Sequence, residues 1–356
     1  MSRRIEKLLE KLNIEALDAI IVTNLYNIRY LSGFTGSSAA LYISNNTRVI
    51  ITDFRYIEQA TKQCPGYRVV DQAKLSVFAT LKQIIIKDNV LNIGFEESTI
   101  SYINYIKIKE ELEALKLIGT KNLIEEVRMV KEDCELENIK MAARIADNAF
   151  NYILTVIRPG ITERKISLEL EFYMKNNKAE GLSFDTIVAS GKNSSLCHAK
   201  PSDKKIEKGD LLTMDFGCVY KGYCSDMTRT IVVGKANDKQ KEIYNTVLKA
   251  QLEALNVLKS GITGKEVDAI ARNIIEEAGY GKYFGHGLGH SVGLEIHESP
   301  RLSYNEDRIL THNMIATIEP GIYIPDFGGV RIEDLVCIKE KGYENYTVSP
   351  KELIEL

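Results

Sequence analysis

The chain begins with apolar residues at Ile5, Leu8, Leu9 and Leu12, interleaved with Arg4, Glu6, Lys7, Glu10 and Lys11. The i, i+3, i+4, i+7 spacing predicts an amphipathic helix with one buried face, and its scattered charges argue against a secretory leader. The apolar run Ala19 to Val22 predicts a strand. Ala39 to Ile43 and Arg48 to Thr52, placed around Asn45-Asn46, predict a β-hairpin, and Asn92 to Glu96 another strand. Helix and strand signals alternate up to a boundary expected between Lys116 and Lys131. They mark residues 1–125 as an α/β domain; that stretch holds no histidine. Its expected role is support.

In residues 126–356 the pattern changes. Ile139, Ala142, Ala143 and Ala146 form a helical stripe, expected to stop at Arg158-Pro159-Gly160. Pro159-Gly160-Ile161-Thr162 is followed by a helix carrying Ile166, Leu170 and Tyr173. Further on, Ser260-Gly261-Ile262-Thr263 is followed by a helix carrying Val267, Ile270 and Ile274. His198 and Asp215 follow the first turn, His297 and Glu319 the second, in the same order and at similar spacing. The repeat predicts two related halves facing one another across a site.

Composition narrows the function classes. The 356 residues are 44% hydrophobic and 27% charged, with 49 acids against 46 bases and a formal net charge of −3. An ordinary globular composition of this length suggests two domains, the charge balance argues against a nucleic-acid binder, and no apolar run is long enough to span a bilayer. The expected location is the cytoplasm. None of the six cysteines sits in a C-x-x-C pair, so reduced thiols are expected.

The candidate chemistry lies in the second region. Three of the five histidines, His286, His290 and His297, cluster within Gly285–His297. Gly287 and Gly289 would let a ligand or metal approach the backbone; with Gly at position 287, the H-x-x-x-H spacing is not that of a zinc-protease helix. If Tyr220 pairs with Tyr223 across Lys221-Gly222, Asp215 falls opposite Thr228 and diagonal to Asp226, with the α-carbons of the two acids ~7–8 Å apart. Glu319 ends an apolar strand. Arg331 and Glu333, two residues apart, are expected on one face of another. Asp215, Asp226, Glu319 and Glu333 together carry four negative charges. With His290 they match two divalent ions, with Mn²⁺, Co²⁺ or Zn²⁺ as candidates.

At this point the sequence resembles the pita-bread metallopeptidases, the family of methionine aminopeptidases, aminopeptidase P and prolidase. The matching stretches are Met214-Asp215-Phe-Gly, Ser225-Asp226-Met-Thr-Arg-Thr, His286-Gly-Leu-Gly-His290, Ile296-His297-Glu-Ser-Pro300, Ile318-Glu319-Pro-Gly-Ile-Tyr323 and Gly329-Val-Arg331-Ile-Glu333-Asp. The resemblance implies an α+β pita-bread C-terminal domain with internal two-fold pseudo-symmetry, preceded by a smaller α/β creatinase-like domain. That extra domain favours the proline-specific members.

The resemblance further implies that Asp215, Asp226, His290, Glu319 and Glu333 are the metal ligands, and that His198 and His297 are catalytic. Cys197 stands before His198 where many relatives carry Pro or another small residue. The expected reaction is hydrolysis of the bond between an N-terminal residue and proline. Glu319 would carry the proton, Arg331 would support Glu333 and the charge network, and Thr228 and Thr317 would support the ligands. His286 and Tyr323 would border the proline ring, and Arg301 would meet the proline carboxylate of a dipeptide. The expected substrate is a small peptide with proline second. The expected cofactors are two divalent ions, Mn²⁺ ahead of Co²⁺ and Zn²⁺, and the resemblance suggests a homodimer. The alternatives are an Xaa-Pro aminopeptidase acting on longer peptides and a non-catalytic binding module of the same fold.

Overall fold

In the computed structural model, which describes residues 3–356, the helix Arg3–Ile14 buries Ile5, Leu8, Leu9 and Leu12. Those are the four positions of the sequence stripe. The helix belongs to the first of two compact units, which ends at Arg128; the second starts at Met129.

The first unit is built on a six-stranded sheet. The strand order is Arg68–Asp71, Arg48–Thr52, Ala40–Ser44, Ala19–Val22, Asn92–Glu96, Lys116–Thr120. The expected hairpin is present, with Ile43 opposite Arg48. The Ser44 hydroxyl accepts the Asn46 and Thr47 amides in its turn. Where such a sheet could leave an anion site open at a helix N-terminus, this unit fills the place itself: the buried Glu96 carboxylate accepts the Thr23 and Asn24 amides ahead of the helix Leu25–Ser32.

The second unit is duplicated. The helices Asp133–Leu154 and Glu163–Asn176 flank one turn; Asp238–Val257 and Gly264–Glu277 flank the other. Gly160 and Gly261 have φ of 93° and 94°, a conformation that favours glycine. Thr162 and Thr263 cap the following helices, their hydroxyls accepting the Lys165 and Glu266 amides. Each turn is tied to a later segment in the same way: Gly160 N–H donates to Ile206 O and Gly261 N–H to Leu310 O, both at 2.9 Å. The first helix stops at Leu154, not at Arg158 as the sequence suggested. The Thr155 amide turns back to Tyr152 O and Ile153 O, so the helix tightens and ends before Pro159 can act.

Each half then supplies a strand pair joined through a hairpin. In the first, Leu211–Phe216 pairs with Met227–Val232, and Cys218–Tyr220 with Tyr223–Cys224. In the second, Ile315–Ile318 pairs with Asp334–Ile338, and Gly321–Ile324 with Gly328–Arg331. Apolar residues from these strands and from the flanking helices form two cores, one for each half. Among the described residues no helix is long and apolar enough to cross a membrane.

Candidate metal centre

Asp215 is the fifth residue of the strand Leu211–Phe216 and stands opposite Thr228. The register follows from the turn: Lys221 and Gly222 both have positive φ, 48° and 85°, the geometry of a two-residue hairpin loop, so Tyr220 meets Tyr223. Asp226 immediately precedes the strand Met227–Val232. Glu319 and Glu333 hold the equivalent places in the second half, just after Ile315–Ile318 and just before Asp334–Ile338. Asp215 is still inside its ladder, paired with Thr228 and Ile187, while Asp226, Glu319 and Glu333 stand one residue outside theirs.

One oxygen each of Asp215, Asp226 and Glu333 lies within 4.8 Å of the others. His290 Nε2 closes the group, 3.6 Å from Asp226 Oδ2 and 3.4 Å from Glu319 Oε1. Its Nδ1 is 3.1 Å from Ser291 O. A carbonyl only accepts, so Nδ1 carries the proton and Nε2 turns a bare lone pair toward two carboxylates. Among the described residues six buried side-chain polar atoms lack a hydrogen-bond partner. Three of them are Asp215 Oδ1, Asp226 Oδ1 and Glu333 Oε1; bare acceptors concentrated in one place are a site for cations.

The electrostatics agree. Burial, with Glu333, Asp215 and Glu319 adding, pushes the Asp226 carboxyl well above its ordinary range. Burial, with Glu319 and Asp215, does the same for Glu333. Glu319 is raised by burial, against the pull of His286 and Arg331. Burial lowers His286, His290 and His297, favouring neutral imidazoles. Acids this crowded must take up protons or bind cations, and a donor set of four carboxylates and one neutral imidazole suits hard to intermediate divalent ions.

The surrounding groups hold the acids from behind. Thr228 donates to Glu333 Oε2 at 2.7 Å and accepts Arg331 Nε at 3.0 Å. Arg331 Nη2 also meets Asp215 Oδ2 at 2.6 Å. Arg331 and Glu333 do not share one strand face as expected: the chain leaves one sheet at Arg331 and enters another at Asp334. The arginine therefore touches Asp215 directly and Glu333 through Thr228. Thr317 donates to Glu319 Oε1 and accepts the His290 amide, both at 3.0 Å.

A cavity of about 980 Å³ opens over the cluster. It is lined by all five acid and imidazole groups and by His198, His286, His297, Arg301 and Arg331. His297 packs edge-on against His290, ring centroids 4.5 Å apart. Tyr323 is not on the cavity wall: it is buried, and its hydroxyl accepts Arg331 Nη1 at 2.8 Å and lies 2.9 Å from His286 Nε2. His286 Nδ1 is 2.7 Å from Gly287 O. The tyrosine proton therefore goes to His286 Nε2, both ring nitrogens are engaged, and His286 offers a substrate its ring face only. Among the described residues no two cysteines form a disulfide; Cys197 lies on the cavity wall.

Three buried or half-buried groups bonded to the segments around the histidines were not singled out from the sequence: Glu163 accepts from Ser190, Asn193 and Ser202, Asp268 accepts the Leu288 amide, and Arg272 donates to Phe284 O and His286 O. Asp268 and Arg272 sit i, i+4 on a helix, a spacing that normally signals a solvated pair. Glu163 follows a capping threonine, where an acid is ordinary.

Two families match the chain. Residues 137–340 match Metallopeptidase family M24, and residues 4–130 match the Creatinase/Prolidase N-terminal domain. The uncharacterized peptidase YqhT of Bacillus subtilis is 45% identical over 353 residues, covering 99% of this chain and all of that protein. The structure of an Xaa-Pro dipeptidase from Bacillus anthracis superposes with a TM-score of 0.97 at 48% identity, covering 99% of each chain. An X-Pro aminopeptidase from Thermotoga maritima superposes with a TM-score of 0.91 at 40% identity, covering 98% of this chain and all of that one. With a creatinase-type first unit and a duplicated second unit that closes on an acid and histidine cluster, the chain belongs to metallopeptidase family M24.

Proposed function

We propose that the protein is an Xaa-Pro dipeptidase, hydrolysing the bond between an N-terminal residue and proline. The observation that carries this reading is the cluster of Asp215, Asp226 and Glu333 on the cavity wall, one oxygen of each within 4.8 Å of the others and one oxygen of each without a hydrogen-bond partner, with His290 Nε2 3.6 Å from Asp226. Asp215, Asp226, His290, Glu319 and Glu333 would hold two divalent ions, Mn²⁺ first among the candidates. Bound there, the ions would supply Lewis acidity and a water that deprotonates at neutral pH.

The chain's own groups do the rest. Glu319 takes the proton of the attacking water and delivers it to the leaving prolyl nitrogen, which has no hydrogen of its own. His198, exposed on the cavity wall, donates to the oxygen of the scissile carbonyl as charge develops. His297 orients the proline residue, whose ring packs on the His286 face. Arg331, bonded to Asp215, Thr228 and Tyr323, holds the acids in position. Arg301 lines the same cavity and meets the carboxylate of a dipeptide. The protein works in the cytoplasm as a homodimer.

A second reading, Xaa-Pro aminopeptidase, is favoured by the reach of the cavity beyond the acid cluster to Arg164, Leu168 and Glu171 on the helix Glu163–Asn176. That leaves room for residues after proline. Reconstitution with Mn²⁺, Co²⁺ or Zn²⁺, followed by assays on Xaa-Pro, Xaa-Pro-Yaa and Met-Ala peptides, separates the readings. Cleavage of Xaa-Pro alone supports the dipeptidase and cleavage of the tripeptide the aminopeptidase. Cleavage of Met-Ala alone defeats both.

A further inference from the structure

His286 and His290 are presented by a segment that contains Gly285, Gly287 and Gly289 and takes no regular structure before Gly289. Glycines lose the most backbone freedom on ordering, so such a loop needs outside help to hold an imidazole still. On one side the help is steric. A Cβ on Gly289 would lie 2.0 Å from Thr317 O, so this glycine is pressed against the strand Ile315–Ile318.

On the other side stands one ion pair. Asp268 is buried on the helix Gly264–Glu277 and binds Arg272, one turn later, through two bonds of 2.8 and 2.9 Å. Neither partner stops there. Asp268 Oδ1 accepts the Leu288 amide at 2.9 Å. Arg272 donates to Phe284 O at 3.1 Å and to His286 O at 2.8 Å, with its guanidinium 4.4 Å from the centre of the Phe284 ring. The pair thus grips the loop at Phe284, His286 and Leu288, every second residue up to the one before Gly289. A planar guanidinium can bind a carboxylate on one edge and still send N–H groups to two carbonyls; an ammonium lacks this fork.

We propose that Asp268 and Arg272 are positioning residues for the metal centre: by fixing this loop they set the reach of His290 Nε2 and hence the affinity for one of the two ions. The proposal rests on the metal reading above. Its test is Co²⁺ titration of the full chain, followed by calorimetry and by visible absorption of the bound ion. The wild-type protein takes up two Co²⁺ per chain. Arg272→Met and Asp268→Asn each weaken one of these by roughly 10- to 100-fold and shift its absorption, while the other ion binds as before. Arg272→Lys falls between wild type and Arg272→Met. On a His290→Ala background, Arg272→Met brings no further loss, since the group it positions is gone. Asp268→Asn keeps the shape and the Oδ1 acceptor, and it carries the test if Arg272→Met does not fold. Wild-type affinity for both ions in these variants, or an equal further loss on the His290→Ala background, overturns the proposal. Failure of the wild-type chain to take up two ions overturns the metal reading instead.

Discussion

The two halves of the second unit share one plan and differ in what they bring to its centre. Each has a helix, a turn with a glycine at positive φ, a threonine-capped helix and a strand pair flanking a hairpin. Asp215 and Asp226 come from one half, Glu319 and Glu333 from the other, at matching strand ends. Only the second half adds an imidazole, His290, to the acid cluster, and that ring lies 3.4 Å from Glu319 of its own half and 3.6 Å from Asp226 of the other. Duplication thus supplies acids from both halves, and under the proposed function the departures from symmetry supply the chemistry.

The most direct way to break this comparison is to exchange function between counterparts. Glu319→Gln keeps the shape and one coordinating oxygen but cannot carry a proton. It is expected to lower kcat on an Xaa-Pro substrate about 10³-fold while the protein still takes up Co²⁺. The counterpart Asp215→Asn is expected to act first on metal uptake, since Asp215 lies 2.6 Å from the Arg331 guanidinium and its other oxygen is bare. Equal kinetic and metal-binding effects at the two positions would erase the proposed division of labour.

The halves also anchor their histidine-bearing segments differently. In the first half Glu163, fully buried at the start of its helix, accepts the Ser190 amide and hydroxyl, the Ser202 amide and hydroxyl, and the Asn193 side chain. These groups bracket His198. In the second half the Asp268–Arg272 pair grips the loop that carries His286 and leads into the strand of His290. Glu163→Gln should therefore destabilise the protein by about 3 kcal/mol in a denaturant titration. It should lower kcat roughly 10- to 100-fold by misplacing His198, with Co²⁺ stoichiometry intact. Loss of a metal equivalent in this variant would show that the two anchors are not specialised.

Much of this was legible in the sequence, for reasons that can be named. The stripe Ile5, Leu8, Leu9, Leu12 reports a helix face because apolar burial repeats with the helix period. Lys221-Gly222 fixes the hairpin, and with it the pairing of Asp215 with Thr228, because two consecutive positive-φ residues leave one register. What stayed hidden depends on tertiary direction. Spacing says that Arg331 and Glu333 are two apart but not that the chain changes sheets between them. Tyr323 reads as a cavity aromatic, yet Arg331 and His286 hold its hydroxyl inside the wall. The i, i+4 spacing of Asp268 and Arg272 gives no sign that a loop folds back onto the pair.

Metal removal tests the cluster as a whole, since both halves contribute to its repulsion. Burial and neighbouring carboxylates raise Asp226 and Glu333, and burial raises Glu319. A carboxyl with a folded pKa above its unfolded value binds protons more readily when folded. Its effect on stability is therefore unfavourable above the folded pKa and is relieved as pH falls through that value. Metal-free protein should gain several degrees in Tm from mildly alkaline to mildly acid pH, and metal-loaded protein should show no such gain. A Tm of the metal-free protein that falls steadily over the same range would mean that the acids are not crowded as described.

The finest comparison concerns two threonines. Thr213 and Thr317 both stand two residues before the strand-end acid of their half, and both are buried, at 3% and 0% exposure. Their hydroxyls serve different masters. Thr213 pairs with Thr230 and Gly329 O, whereas Thr317 donates to Glu319 and accepts the His290 amide. Replacing each by valine keeps the shape and removes the hydroxyl. Thr213→Val is expected to cost about 1 kcal/mol of stability and to leave Co²⁺ affinity unchanged. Thr317→Val removes one bond from Glu319 and leaves the His290 amide without its acceptor, and should weaken Co²⁺ binding about 10-fold. If both variants weaken the metal equally, the hydroxyl is acting through packing of the shared strand layer. If only Thr317→Val does, the departure from symmetry extends to the residues that orient the ligands.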